Sequence, residues 1–260
     1  MKFVLTLLSC LLVGGCATLP PDASGNPGKP DPRDPWERFN RASFKFNDAM
    51  DRAILRPVAK VYVKVTPRVV RTGLGNALDN LESITTIVND TLQGKIGQAG
   101  RDSARFVLNS TLGLGGLFDP ATAAGLDQND EDFGQTLGVW GVKSGPYLMV
   151  PILGPSSARD FVGRITEQFT YPVSYLEDDS TRYLIRAVDF VNVRAGLLDL
   201  DAQLDQSFDR YAFVRNAWLQ RREYKVLDGN VPDMSLDDEE EEMMDEAAPE
   251  TEAPPEEPPK

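Results

Sequence analysis

The alternation of apolar and polar positions is helical through most of the middle of the chain. Trp36, Phe39, Ser43, Phe46 and Met50 recur at steps of three and four, which places them on one stripe of a helix. Asp34 and Pro35 precede this stripe as N-cap and first helical residue. Pro57 can open a second short helix, and Pro67 a third that runs to about Leu81. Residues 95–111 predict another, with Ile96, Ala99, Ser103, Phe106 and Ser110 on one face. A helix over 156–169 is opened by Ser156 or Ser157, and longer helices follow over about 180–205 and 208–227. The exception is the apolar run 147–153, flanked by Gly and Pro, which fits a strand, a hairpin arm or a buried loop. No internal repeat is visible, and the pattern predicts an all-α domain of amphipathic helices.

The N-terminus has a different pattern. Lys2 precedes an apolar run over residues 3–13, and Gly14, Gly15 and Cys16 follow. A charged start, a short apolar segment and small residues at the cut describe a secretory signal. The run is too short for a transmembrane helix, which needs about 20 apolar residues. Val13-Gly14-Gly15-Cys16 resembles the lipobox of bacterial lipoproteins, so Cys16 is the expected site of lipid attachment. Leu7-Leu8-Ser9-Cys10 is a weaker match, because it leaves only a few apolar residues ahead of the cut. Cleavage before Cys16 removes Cys10 and leaves a mature body with no cysteine. A single acyl chain anchors weakly. A lipoprotein cysteine carries several, so the resemblance implies firm anchoring. Ala17, where an inner-membrane lipoprotein would carry Asp, points by analogy to the outer membrane.

Composition divides the chain into four parts. Residues 1–15 are the signal segment. Residues 16–33 form a lipidated, Pro-rich tether, an extended spacer in character. Residues 34–229 are the helical body, and 230–260 an acidic tail expected to be disordered. From residue 233 onward the tail holds thirteen acids and one base, whereas the rest has 27 acids and 26 bases. The net charge of -13 therefore describes the tail, and no basic face offers itself to nucleic acid.

The chemistry available to the chain is narrow. It has no histidine, which excludes Ser-His-Asp catalysis and imidazole metal ligands. Without a mature cysteine, thiolate metal sites are excluded too. Gly113-Leu114-Gly115-Gly116 lacks the Lys of a phosphate loop and reads as close backbone packing. Asp127, Asp130, Glu131 and Asp132 could in principle hold Ca²⁺, but read better as a solvated loop ending in a helix N-cap. Neither an enzyme nor a resident metal or cofactor is expected.

Several ordered motifs carry a family resemblance. They begin with Asp34-Pro35-Trp36-Glu37-Arg38-Phe39-Asn40-Arg41, Arg56-Pro57 and Leu92-Gln93-Gly94. Arg105-Phe106-Val107-Leu108-Asn109-Ser110 leads into the Gly-rich segment and Asp119. The longest block runs from Glu131-Asp132-Phe133-Gly134-Gln135-Thr136 through Gly141-Val142-Lys143-Ser144-Gly145-Pro146-Tyr147 to Leu153-Gly154-Pro155-Ser156. Over roughly 34–228 the chain resembles the MlaA (VacJ) lipoprotein family. Two departures stand out: Asn80-Leu81-Glu82-Ser83-Ile84 lacks the Pro that often follows this motif in the family, which puts a helix break there in doubt, and the acidic tail is long.

The resemblance implies a ring-like domain of amphipathic helices with a short hairpin loop and no transmembrane helix. It implies a protein lipid-anchored at the periplasmic face of the outer membrane, beside a trimeric porin. Such a protein removes mislocalised phospholipids from the outer leaflet through an amphipathic channel. It passes them to a periplasmic MlaC-like carrier and so maintains lipid asymmetry. Gly141, Val142, Lys143, Ser144, Gly145, Pro146 and Tyr147 would border the channel. Phe39, Asn40, Phe44, Lys45, Phe46 and Asn47 would form a gating helix. Lys143 is a candidate for meeting a phosphate as a point charge. The alternative is a porin-associated structural scaffold that carries no lipid.

Overall fold

The computed structural model describes residues 31–231. The signal segment, Cys16, the tether up to residue 30 and the tail from residue 232 lie outside the described residues. Helix α1 (Glu37–Met50) continues through one π-helical turn (Asp51–Leu55) into α2 (Arg56–Val65), with Pro57 in the first turn of α2. Helix α3 (Arg68–Leu92) begins straight after Pro67. It does not stop near Leu81 but runs on to Leu92, since nothing in Asn80-Leu81-Glu82-Ser83 costs a backbone hydrogen bond. Helix α4 (Ile96–Thr111) and the short α5 (Pro120–Ala123) and α6 (Phe133–Val139) follow.

The apolar run becomes β1 (Tyr147–Val150), which pairs antiparallel with β2 (Gly154–Ser157). Helix α7 (Ala158–Glu167) is capped by Ser157, whose side chain accepts from the Asp160 amide. The expected long helix over 180–205 is divided: α8 (Asp179–Gly196) ends at a glycine, a 3₁₀ turn (Leu198–Leu200) follows, and α9 (Asp201–Gln206) resumes. Helix α10 (Arg210–Val226) closes the described chain, capped by Asp209. Sequence periodicity misses α5 and α6 because four and seven residues are too few to show it. Both are marked by capping aspartates, Asp119 and Asp132.

The contacts between elements form a closed circuit. Helix α2 packs on α8, α8 on α3, α3 on α6 and α6 on α10, while α1 and α10 meet the two strands of the hairpin. The domain is a ring of helices, with α4 packed on α3 and α5 on α4. Small residues set the closest crossings. A Cβ on Gly163 would lie 2.6 Å from the backbone nitrogen of Gly134, so α6 and α7 touch backbone to backbone.

Burial within this ring is inverted. The fully buried apolar cluster is small: Tyr147, Met149 and Tyr211, with Phe44, Val214, Trp218 and Leu219 against it. Most buried side chains are polar, among them Asn40, Asn89, Asp90, Gln135 and Thr136. Meanwhile Ile54 in the π-turn and Val58, Val61 and Val65 in α2, at helical spacing, are 44–68 % exposed. Val162 and Ile165 of α7, and Phe169 just beyond its end, are exposed too. Helix α1 follows this rule and departs from the expected orientation. Glu37, Asn40 and Ser43 turn inward, and Trp36 and Phe46 of the apolar stripe are about half exposed. In α4 the buried residues are Ala99, Asp102, Arg105 and Asn109; of the expected stripe only Ala99 is buried, and Ile96 is 66 % exposed. Among the described residues, no helix is long and apolar enough to cross a membrane.

Candidate functional site

The hairpin is held to α1 by two asparagines. Asn40 and Asn47 stand seven residues apart, about two helical turns, and so share a face. Asn40 is fully buried; its Nδ2 donates to the Tyr147 carbonyl (3.0 Å) and to Asp34 Oδ1 (2.7 Å). Its Oδ1 accepts from the Met149 amide at 2.8 Å. Asn47 donates to the Val150 carbonyl (3.0 Å) and accepts from the Ile152 amide (2.7 Å). The Tyr147 amide donates to the Arg33 carbonyl at 2.8 Å. Side-chain amides thus occupy the free edge of β1 where another strand would bind.

Asp34 is not the N-cap of α1. Trp36 holds that position without a side-chain cap bond. Asp34 is 2 % exposed and serves the interior instead, accepting from Asn40, from the Tyr211 hydroxyl and from Arg215. Burial and the Asp34 carboxylate push the Tyr211 hydroxyl far above its ordinary range, so it remains a donor. Phe44 meets Tyr211 edge to face at 5.8 Å, and Tyr147 meets Trp218 at 5.7 Å.

The segment entering the hairpin starts where α6 ends, with Trp140 Nε1 donating to the Leu92 carbonyl. Gly141 (φ +88°) and Gly145 (φ +68°) adopt the left-handed backbone that a side chain would strain. The Ser144 and Pro146 carbonyls accept from the Arg159 and Ala158 amides, both at 3.1 Å, which fastens the segment to the start of α7. Val142 and Lys143 are exposed, and Ser144 and Pro146 are half-buried. At the hairpin tip Ile152 has φ +70°, a strained state for a β-branched residue, and is 56 % exposed beside Leu153. Of the α1 residues, Lys45 and Phe46 face outward, Phe39 and Asn47 are half-buried, and Phe44 packs into the cluster.

Two arrangements went unseen in the sequence. Arg52, Arg56, Arg194 and Arg210 interlock with Asp48, Asp51, Asp201 and Asp205 where the π-turn meets α8, α9 and α10. Arg194 grips Asp51 bidentately at 2.6 and 2.9 Å across 143 residues of sequence. Arg222 likewise binds Asp132 and reaches Asp160 at 2.8 Å. The acidic loop is accordingly less solvated than expected. Asp132 caps α6, and Glu131, 6 % exposed, accepts from Gln93 (2.8 Å) and Lys95 (2.9 Å). No group of three acids among the described residues is placed to hold a metal ion.

Comparison with known proteins gives a consistent picture. Residues 32–225 match the family model described as MlaA lipoprotein. An Escherichia coli (strain K12) protein named intermembrane phospholipid transport system lipoprotein MlaA is 38 % identical over 231 residues, covering 86 % of this chain and 88 % of that one. Its namesake in Haemophilus influenzae is 32 % identical over 238 residues, covering 88 % and 92 %. An uncharacterised Rickettsia bellii protein is 36 % identical over 195 residues, covering 74 % and 76 %. A solved structure described as the structural basis for maintenance of bacterial outer membrane lipid asymmetry aligns with a TM-score of 0.68 at 38 % identity, covering 74 % of this chain and 98 % of that one. With its ring fold, its hairpin and these matches over most of its length, the chain belongs to the MlaA lipoprotein family.

Proposed function

We propose that this protein is an outer-membrane lipoprotein, anchored by lipid at Cys16 on the periplasmic face, that removes mislocalised phospholipids from the outer leaflet. The lipid passes through an amphipathic channel in the ring to a periplasmic MlaC-like carrier, with a trimeric porin as the neighbour in the membrane. The carrying observation is the inverted burial. Apolar stripes on α2 and α7 face outward while the interior is hydrogen-bonded and charged. Apolar faces of this extent mark contact with lipid or a partner, and among the described residues no helix is long and apolar enough to span a bilayer, which suits a protein seated in one leaflet. A phospholipid has a charged head and apolar tails, so its path needs both kinds of surface. The exposed Lys143, between two left-handed glycines, is a point charge for its phosphate. The strained, exposed Ile152 keeps an apolar side chain at the hairpin tip where glycine would relieve the backbone. The transport role involves no bond chemistry and no cofactor.

The test measures surface-exposed phospholipid in cells lacking the gene, complemented with wild type or with Gly141→Pro/Lys143→Glu. Restoration by wild type alone supports a hairpin-bordered channel. Restoration by both keeps the transport role and removes the hairpin from it. No phenotype on deletion sinks the transport role and leaves the scaffold.

A further inference from the structure

A polar recess lies between α3 and α4, walled by Asn76, Asp79, Asn80, Ser83, Asn109 and Gln128, with room for one water-sized group. Its base, Arg105, is fully engaged: it donates to Asp119 (2.6 Å), to Thr122 (2.8 Å) and to the Leu126 carbonyl. Asn80 is 4 % exposed. Its Nδ2 donates to Ser110 at 2.9 Å, which fixes the amide, while its Oδ1 has no donor. A buried acceptor without a donor is costly and calls for a ligand carrying N–H or O–H groups.

Carboxylates from several elements continue the recess. Asp79 and Glu82 lie three residues apart on α3, and Asp189 faces them from α8. Asp130, in the loop before α6, and Glu167, at the end of α7, complete Glu82's surroundings. Asp130 is paired with Lys225, and Glu167 accepts from the Phe133 amide. Asp79, Glu82 and Asp189 have no ion-pair partner among the described residues. The bases near them bind elsewhere, Arg105 as above and Arg186 through one terminal nitrogen to Gln168 and Ser174. Burial and like charge raise all three carboxyls, Glu82 to about 7. Glu82 is nevertheless open to solvent, as a group on a concave wall would be.

A cation relieves this repulsion, and the recess selects which one. An ammonium is about the size of a water molecule and has three donors, matching Asn80 Oδ1 and the Asp79 carboxylate. A trimethylammonium is larger and has no N–H, and an anion is repelled. We infer that the recess binds a primary ammonium group, with Asp79 and Asn80 as its acceptors and Glu82 and Asp189 supplying the attracting field. Resting on the phospholipid reading above, the occupant is the amino head group of an ethanolamine-bearing phospholipid.

The full lipidated chain in mild detergent is incubated with equal amounts of phosphatidylethanolamine, phosphatidylcholine and phosphatidylglycerol of matched acyl chains. Retained lipid is read by mass spectrometry. Wild type should enrich phosphatidylethanolamine about tenfold over each of the others. Asp79→Asn/Glu82→Gln should retain the three alike while melting like wild type. Glu82→Gln alone, at an exposed position that cannot unfold the domain, should lower the enrichment. Free ethanolamine should displace the lipid, and free choline should not. Equal retention by wild type, enrichment that survives the double substitution, or displacement by Mg²⁺ as readily as by ethanolamine would each overturn the site. If no phospholipid is retained, the transport reading fails first. Line broadening of free ethanolamine by wild type but not by the double variant then still upholds an amine site, and its absence removes it.

Discussion

Replacing Asn40 with Ala removes one side chain but strands three groups. The Tyr147 carbonyl, the Met149 amide and Asp34 Oδ1 each lose a partner at 2.7–3.0 Å, in a place where Asn40 itself is 0 % exposed. Each buried polar group left unpaired costs about 1–3 kcal/mol, and one of the three is a carboxylate. Asp34 retains Tyr211 and Arg215, which limits its share. The effects are not additive, and a total of about 3–5 kcal/mol is expected, a large part of the roughly 5–15 kcal/mol that holds a domain. Asn47→Ala strands two groups at the more exposed hairpin tip and should cost about 1–2 kcal/mol. The assay is urea unfolding in mild detergent followed by tryptophan fluorescence, since Trp218 meets Tyr147 edge to face and reports the hairpin's release. Phe46→Ala, on the same helix but outward-facing, is the control. If Asn40→Ala costs less than about 1 kcal/mol, the amide clamp does not hold the hairpin and the reasoning fails.

Other substitutions probe other parts of the ring. Gly163→Ala places a Cβ 2.6 Å from the Gly134 backbone, which cannot yield without parting α6 from α7, and should destabilise by about 2–3 kcal/mol in the same unfolding assay. Arg222→Met leaves Asp132 and Asp160 without their shared cation and should cost about 3–5 kcal/mol, whereas the double change with Asp132→Asn should recover part of it. Asp90 is fully buried, bridged to Asp102 through Asn129 at 3.2 and 3.3 Å, and burial with Asp102 beside it raises its carboxyl to about 7. The folded chain keeps a proton there that the unfolded chain releases near 3.8, so this contribution favours folding in acid and fades as pH rises toward about 7. Asp90→Asn should flatten that decline in a pH series of unfolding midpoints, and an unchanged slope would assign it to other groups. Ile152→Gly should stabilise by up to about 1 kcal/mol by relieving a left-handed φ of +70°, with calorimetry as the readout.

Much of the local structure was legible without coordinates, because capping and proline signals act within a few residues. Ser157 capping α7, Pro67 before α3 and the start of α10 near 208 are all of that kind. The hairpin was only half legible. A short apolar run between Gly and Pro fits a strand, a hairpin arm or a loop, and the decision came from Asn40 and Asn47, which lie over a hundred residues earlier. In the acidic loop Asp127 and Asp130 are exposed and Asp132 caps α6 as expected, but Glu131 was misjudged for the same reason, since Gln93 and Lys95 from another part of the chain bind it.

The sequence by itself determined the mostly helical character, the starts of several helices, the near-neutral body with its acidic tail, and the family. These depend on composition, on local backbone chemistry and on ordered motifs. Only the tertiary structure decided which face of each helix points inward. Periodicity finds a stripe but carries no sign, and it is read inward only by assuming that apolar groups seek the protein core. Here α1 and α4 bury amides, carboxylates and Arg105, while α2 and α7 show Val and Ile to their surroundings. The polar interior is stabilised by partners such as Arg215 and Asp34, 181 residues apart, and chain folding alone brings such pairs together.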